Sequence, residues 1–180
     1  MKTADEVLSF WFEELTPKDW FKKDDSFDTL CAERFGDTLI SAALGEFFRW
    51  RTTPEGRLAE IIVLDQFSRN IYRDTAKAFA QDPLALALAQ EAVHHGYDQQ
   101  LNAEQQGFLY MPYMHSESTV VHEQALILFA QPGMESKHPY EVKHKEIIDQ
   151  FGRYPHRNAI LGRTSTAEEV EFLSQPGSSF

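Results

Sequence analysis

An aspartate and an arginine four residues apart, Asp65 and Arg69, fall inside an otherwise apolar helical pattern. Taking Leu58 as the reference and turning about 100° per residue, both land within about 20° of it, beside Ile61 and Ile62. Val63, Leu64 and Phe67 cover much of the remaining circumference, so this helix should be central and its charges must be compensated by each other or by a partner. The spacing of four lets the two side chains meet. Such a pair sets a carboxylate suited to acid–base work beside a guanidinium suited to holding an anion, and it serves equally as a buried ion pair that fixes helix register.

Two further segments carry the same kinds of group. On the helix opened by Pro139, His144 shares a stripe with Tyr140, Ile147 and Phe151, which turns an imidazole toward the interior; His122, with Ala125, Leu126 and Phe129, reads as an ordinary core histidine. His115 and Glu117 lie just past Pro112, where a kink would free backbone to line a site. Phe151-Gly-Arg-Tyr-Pro-His-Arg-Asn158 then gathers Arg153, His156, Arg157 and Asn158 in one turn shaped by Gly152 and Pro155, with Arg163 close behind. Arginines around one turn suit forked binding of a carboxylate or phosphate, or the capping of helix ends and pairing with surface acids. Candidate acid–base groups are therefore Asp65, His115, Glu117, His144 and His156. Candidate anion-holding groups are Arg69, Asn70, Arg153, Arg157, Asn158 and Arg163. A divalent metal on His115, Glu117 and His144 or His156 is a variant of this set, but H-E-x-x-H is absent and no metal site is assigned. Neither G-x-S-x-G nor a P-loop is present, and no cofactor is identifiable.

The elements that must position these groups are helical. Thr3 with Glu6 makes a capping box that opens a helix to about Leu15; a connector carrying Trp20 and Phe21 leads to a helix from about Asp25 to Leu44. Thr53-Pro54 starts a helix to about Asn70, and Asp82-Pro83 repeats that cap-and-proline start for a helix to His95. Asn102 opens another to about Met111, which Pro112 should kink or end. Helices at Ser118–Phe129, Pro139–Phe151 and Thr166–Leu173 complete the series, the last behind a Ser165/Glu168 box. Alternating strand patterns are absent. Short connections predict an all-α chain of antiparallel helix pairs, a single helical domain over residues 1–180.

Composition bounds the partners. Among 180 residues, 28 acidic against 17 basic ones give a net charge of -11, which repels phosphate backbones and anionic membranes, so neither nucleic acid nor membrane is expected. The segment MKTADEVLSFWFEEL carries acids within its apolar stretch, unlike a signal peptide, and the single Cys31 forms no intrachain disulfide; a cytoplasmic protein is expected. The aromatics near Trp11, Trp20, Phe47, Phe48 and Trp50 fill a core or seal a homo-oligomer face. Pro176-Gly-Ser-Ser-Phe180 either frays or folds its aromatic end onto the arginine turn.

Several of these motifs occur together in a known order. Leu64-Asp-Gln-Phe-Ser-Arg-Asn70, Phe108-Leu-Tyr-Met-Pro112 with His115-Ser-Glu117, Phe151–Asn158, Leu161-Gly-Arg163 and Ser165–Glu169 resemble the bacterial family called domain of unknown function 924 over nearly the whole chain. That resemblance implies a fold similar to tetratricopeptide-like right-handed superhelices and says little of activity. The expected function is a buried polar pocket that binds a small anionic metabolite, with or without transforming it; the alternative is a tetratricopeptide-like scaffold for a peptide or protein without catalysis.

Overall fold

The computed structural model describes residues Met1–Phe180 and contains helices and turns with no strand. Thr3 and Glu6 form the expected capping box for α1 (Ala4–Ser9), which continues as a wider π-helical turn, Phe10–Glu14. Asp24 caps α2 (Asp25–Ala43) by accepting from the Ser26 and Phe27 amides. Thr53 caps α3 (Pro54–Ile62) through Gly56 N. A Cβ at Gly56 would lie 2.1 Å from the Trp50 carbonyl oxygen, so a glycine is needed where this helix start presses on the preceding turn.

The rod begun by α3 widens into a second π turn at Val63–Phe67 and ends as α4 (Ser68–Ile71). All five residues of that turn are buried, Asp65 and Gln66 included. The wider turn carries Asp65 and Gln66 in the interior; π turns of this kind recur at functional sites.

Then come α5 (Asp82–His94), α6 (Ala103–Met114), α7 (Thr119–Phe129), α8 (His138–Phe151), the short α9 (Asn158–Leu161) and α10 (Ala167–Leu173). Helix α3 packs on α1, α5 and α6; α5 packs on α6, α6 on α7 and α7 on α8. The principal core holds 30 buried hydrophobic residues drawn from the chain up to Met134. At its centre Phe67 stacks on Phe35 at 4.5 Å and meets the edge of Trp11 at 5.5 Å, while Phe108 meets Trp20 at 4.8 Å. Burying rings of this size stabilises by about 1.5–3 kcal/mol each.

Three boundaries differ from expectation. Asp82 is the first residue of α5 rather than its cap, because its carboxylate is taken by Arg69. Helix α6 runs through Pro112 to Met114, three residues beyond Met111. The capping box of α10 is Thr166 with Glu169, one residue later than Ser165/Glu168, since Glu169 Oε2 reaches the Thr166 amide. Tyr140, the reference of the α8 stripe, is 61% exposed; the buried face runs through Glu141, His144, Ile147 and Ile148.

Candidate functional site

The π turn after α3 delivers Asp65, and the turn after α6 delivers His115; the two meet with Nδ1 2.6 Å from Asp65 Oδ1. Asp65 Oδ2 accepts from Gln66 Nε2 at 2.6 Å, and Arg69 Nη1 lies 3.1 Å from Oδ1. Burial works to raise the Asp65 pKa, but Arg69 and His115 outweigh it and hold the carboxyl ionised, below the usual carboxylate range. An ionised Oδ1 only accepts, so the proton between the two groups resides on Nδ1 and leaves Nε2 with its lone pair. Nε2 makes no hydrogen bond. Burial, seconded by the Arg69 charge, lowers the His115 pKa, so the imidazole is neutral at neutral pH. An imidazole aligned by a carboxylate, with its other nitrogen unprotonated, is arranged as a general base.

Two arginines flank the dyad and differ in how they are satisfied. Arg69 donates to both oxygens of Asp82, at 2.8 and 3.0 Å, and to the Asp65 carbonyl at 3.0 Å, so its charge is fully compensated. Arg157 is 5% exposed yet makes one hydrogen bond, from Nη2 to the His115 carbonyl at 3.0 Å. Its Nη1 stands 3.5 Å from Asp82 Oδ2, and its Nε has no partner. The guanidinium lies over the rings of Phe79 and Tyr154, at 4.5 and 4.7 Å to their centroids. Burial and the neighbouring Arg69 charge lower its pKa, though an arginine so placed stays protonated.

Around these groups the structure opens two cavities. The first, of about 250 Å³, is lined by residues including Gln66, Arg69, Asn70, Arg73, His115, His156, Arg157 and Phe180. The second, of about 370 Å³, includes Phe79, Asp82, Leu86, Pro112, His115, Glu117, Arg157 and Leu161.

The remaining candidates divide between the site and its supports. His156 lines the first cavity, and His144 adjoins it through Phe180, whose ring packs 3.8 Å from His144 and 4.5 Å from His156; the aromatic end therefore folds back onto this region. Burial lowers His144 to about 3 and His156 to about 4, so both are neutral. His144 is committed to the Tyr140 carbonyl at 2.6 Å. Asn70 reaches the first cavity but spends its amide on Asp28, which also pairs with Arg73.

Glu117, Arg153, Asn158 and Arg163 are tied to one another rather than turned to the first cavity. Glu117 accepts from the Tyr154 amide at 2.7 Å and from both Arg163 terminal nitrogens, Arg163 Nε donates to Asn158, and Arg153 forks onto Glu169. They brace the turn that carries His156 and Arg157. No three His, Cys, Asp or Glu side chains come together in a way that would hold a metal ion, so the set His115, Glu117, His144 or His156 does not converge.

Sequence reading missed four contributors. Asp82 looked like a helix cap and is the shared partner of Arg69 and Arg157. Phe79 gave no signal outside its aromatic type. Glu141 and Tyr154 complete a sealed network beneath the site: His122 Nδ1 meets Glu141 at 2.7 Å, its Nε2 meets the Ser116 carbonyl at 2.8 Å, and the Tyr154 hydroxyl donates to the Met114 carbonyl at 2.5 Å. This network pins the backbone on either side of His115.

A structure of a protein of unknown function from Agrobacterium tumefaciens is 36% identical, with a TM-score of 0.86, over 94% of this chain and 96% of that one. No curated protein matches the chain. The sequence pattern of the family described as bacterial protein of unknown function DUF924 matches residues 7–177. The chain belongs to that family.

Proposed function

We propose that this protein binds a small anionic metabolite at Arg157, and that His115, aligned by Asp65, moves a proton on it. One observation carries the reading. Arg157 is a buried cation with a single hydrogen bond: its Nε has no partner and its Nη1 stands 3.5 Å from an Asp82 carboxylate already engaged by Arg69, next to an imidazole nitrogen with a free lone pair, at the wall of two cavities. Leaving a buried charge underbonded is costly, and an incoming carboxylate or phosphate would supply the missing acceptors. Arg69 serves a different purpose: it keeps Asp65 ionised and so fixes the His115 tautomer.

The sequential packing of α5, α6, α7 and α8 suits a tetratricopeptide-like right-handed superhelix, and a lone, buried, unpaired Cys31 suits a cytoplasmic protein. Two cavities of metabolite size favour a small molecule over the extended peptide that such a scaffold would hold.

A thermal-shift screen of phosphorylated and carboxylated metabolites tests the reading. A true ligand at a hundred times its dissociation constant stabilises by about 2.7 kcal/mol. Arg157→Gln is expected to weaken that ligand at least tenfold with helical content unchanged, and His115→Gln to keep binding while losing turnover. If no anion stabilises the wild-type protein, the reading fails.

A further inference from the structure

The second cavity bears on what the anion looks like. Resting on the assignment of Arg157 as the anion anchor, we infer that the ligand carries a short alkyl or aryl group, and that this group lies in the second cavity while the charged end stays at Arg157. Phe79, His115 and Arg157 belong to the walls of both cavities, so a ligand held at Arg157 borders each of them. Beyond that shared wall the apolar lining of the second cavity includes Leu86, Pro112 and Leu161, on three different helices, and its polar lining is Asp82, Ser116 and Glu117.

Its acids are not free to receive a polar group. Asp82 is held by Arg69, and Glu117 by Arg163 and the Tyr154 amide. Apolar walls of this kind reward hydrocarbon and penalise a hydrated substituent. The first cavity is mixed: Arg69, Arg73 and Asn70, each engaged by a carboxylate, line it beside Trp20, Met111 and Ile160, so it selects a hydrocarbon group less sharply. His115 lines both cavities and so stands where the two meet.

Calorimetric titration with inorganic phosphate, methyl phosphate, butyl phosphate and hexyl phosphate, and in parallel with acetate, butyrate and hexanoate, tests this directly. Affinity is expected to rise by about fourfold for each added methylene that enters the cavity. Leu86→Trp and Leu161→Trp, which narrow it from separate helices, should abolish that rise and leave the affinity for inorganic phosphate or acetate unchanged. If the small anions bind but chain length adds nothing, or if the rise survives in both tryptophan variants, this inference is overturned and the Arg157 anchor stands. If no member of either series binds, both fall together.

Discussion

The chain is held together in two different ways on the two sides of its site. Up to Met134, 30 buried hydrophobic residues form a continuous core dense in aromatic rings. From α8 onward the buried hydrophobic cluster shrinks to Ile147, Ile148 and Tyr154, with Phe151 and Phe172 packed beside it. What replaces apolar burial there is a chain of directional bonds: Arg153 to Glu169, Asn158 to Ser165 and Glu169, Arg163 to Asn158 and Glu117. The Asp65–His115 dyad comes from the apolar side and Arg157 from the polar side, so the site lies on the seam. The difference teaches that an abundance of arginine and carboxylate does not mark a site, since most of these groups are consumed in holding the turn. The proposed site is where a buried, underbonded arginine adjoins the carboxylate-aligned imidazole.

The sharpest way to break the comparison is in the aromatic core. Phe67 is fully buried and touches Phe10, Trp11 and Phe35. Phe67→Ala should cost about 3–5 kcal/mol in urea unfolding, from lost burial plus the cavity left behind. A loss under about 1 kcal/mol would mean that this side is less tightly packed than its ring geometry indicates.

On the polar side the matching change is Glu169→Ala. It removes the acceptor shared by Arg153, Asn158 and the Thr166 amide. The expected cost is about 1–3 kcal/mol, felt locally rather than globally. Hydrogen exchange should speed up in α9, α10 and the turn at 152–157 while α3 and α6 keep their protection. Uniform loss of protection would show that the two sides unfold as one.

How much of this was legible in the sequence follows from the range of each interaction. Caps at Thr3, Thr53 and Asn102 are local and were readable, as was the Asp65–Arg69 pairing at four residues. The inward direction of Asp65 was readable too, although through a π turn that a fixed angle per residue does not represent. The partners that give these groups their chemistry are distant: His115 is 50 residues from Asp65, and Arg157 bonds to a carbonyl 42 residues away. The gathering of His115, His156 and Arg157 near Arg69 was anticipated from two proline-shaped turns. Only Pro155 shapes one; Pro112 sits inside α6, and the break comes after Met114. Which arginine stayed underbonded was invisible, because that depends on Asp82 choosing Arg69 over its own helix terminus.

Acidification should separate the two sides next. His115, His144 and His156 all titrate lower in the fold than in the unfolded chain, His144 at about 3 and His156 at about 4, because burial disfavours the imidazolium. Unfolded histidine titrates near about 6.5. Between those values the unfolded chain binds more protons, so stability rises with pH across the window and is lost as pH falls below about 6.5. One such group contributes up to about 1.4 kcal/mol per pH unit. Glu141, raised by burial, works in the opposite direction. The expected net loss between pH 7 and pH 6 is about 1–2 kcal/mol, and His144→Gln should flatten the slope. An unchanged slope in that variant would remove His144 from the account.

The smallest effect concerns a polar atom on the apolar side. Ser68 opens α4 directly after the π turn, is 1% exposed, and its hydroxyl has no hydrogen-bond partner. A buried hydroxyl without a bond costs about 1–3 kcal/mol relative to one that is satisfied. Alanine is also the better helix former. Against this, the methyl left by Ser68→Ala fills slightly less space, so the gain is partly offset and the net expectation is a stabilisation of up to about 1 kcal/mol, read from the urea midpoint. The sign is informative. If Ser68→Ala destabilises, the hydroxyl is satisfied by a buried water, and the apolar side then contains a hydrated point within one helical turn of Asp65.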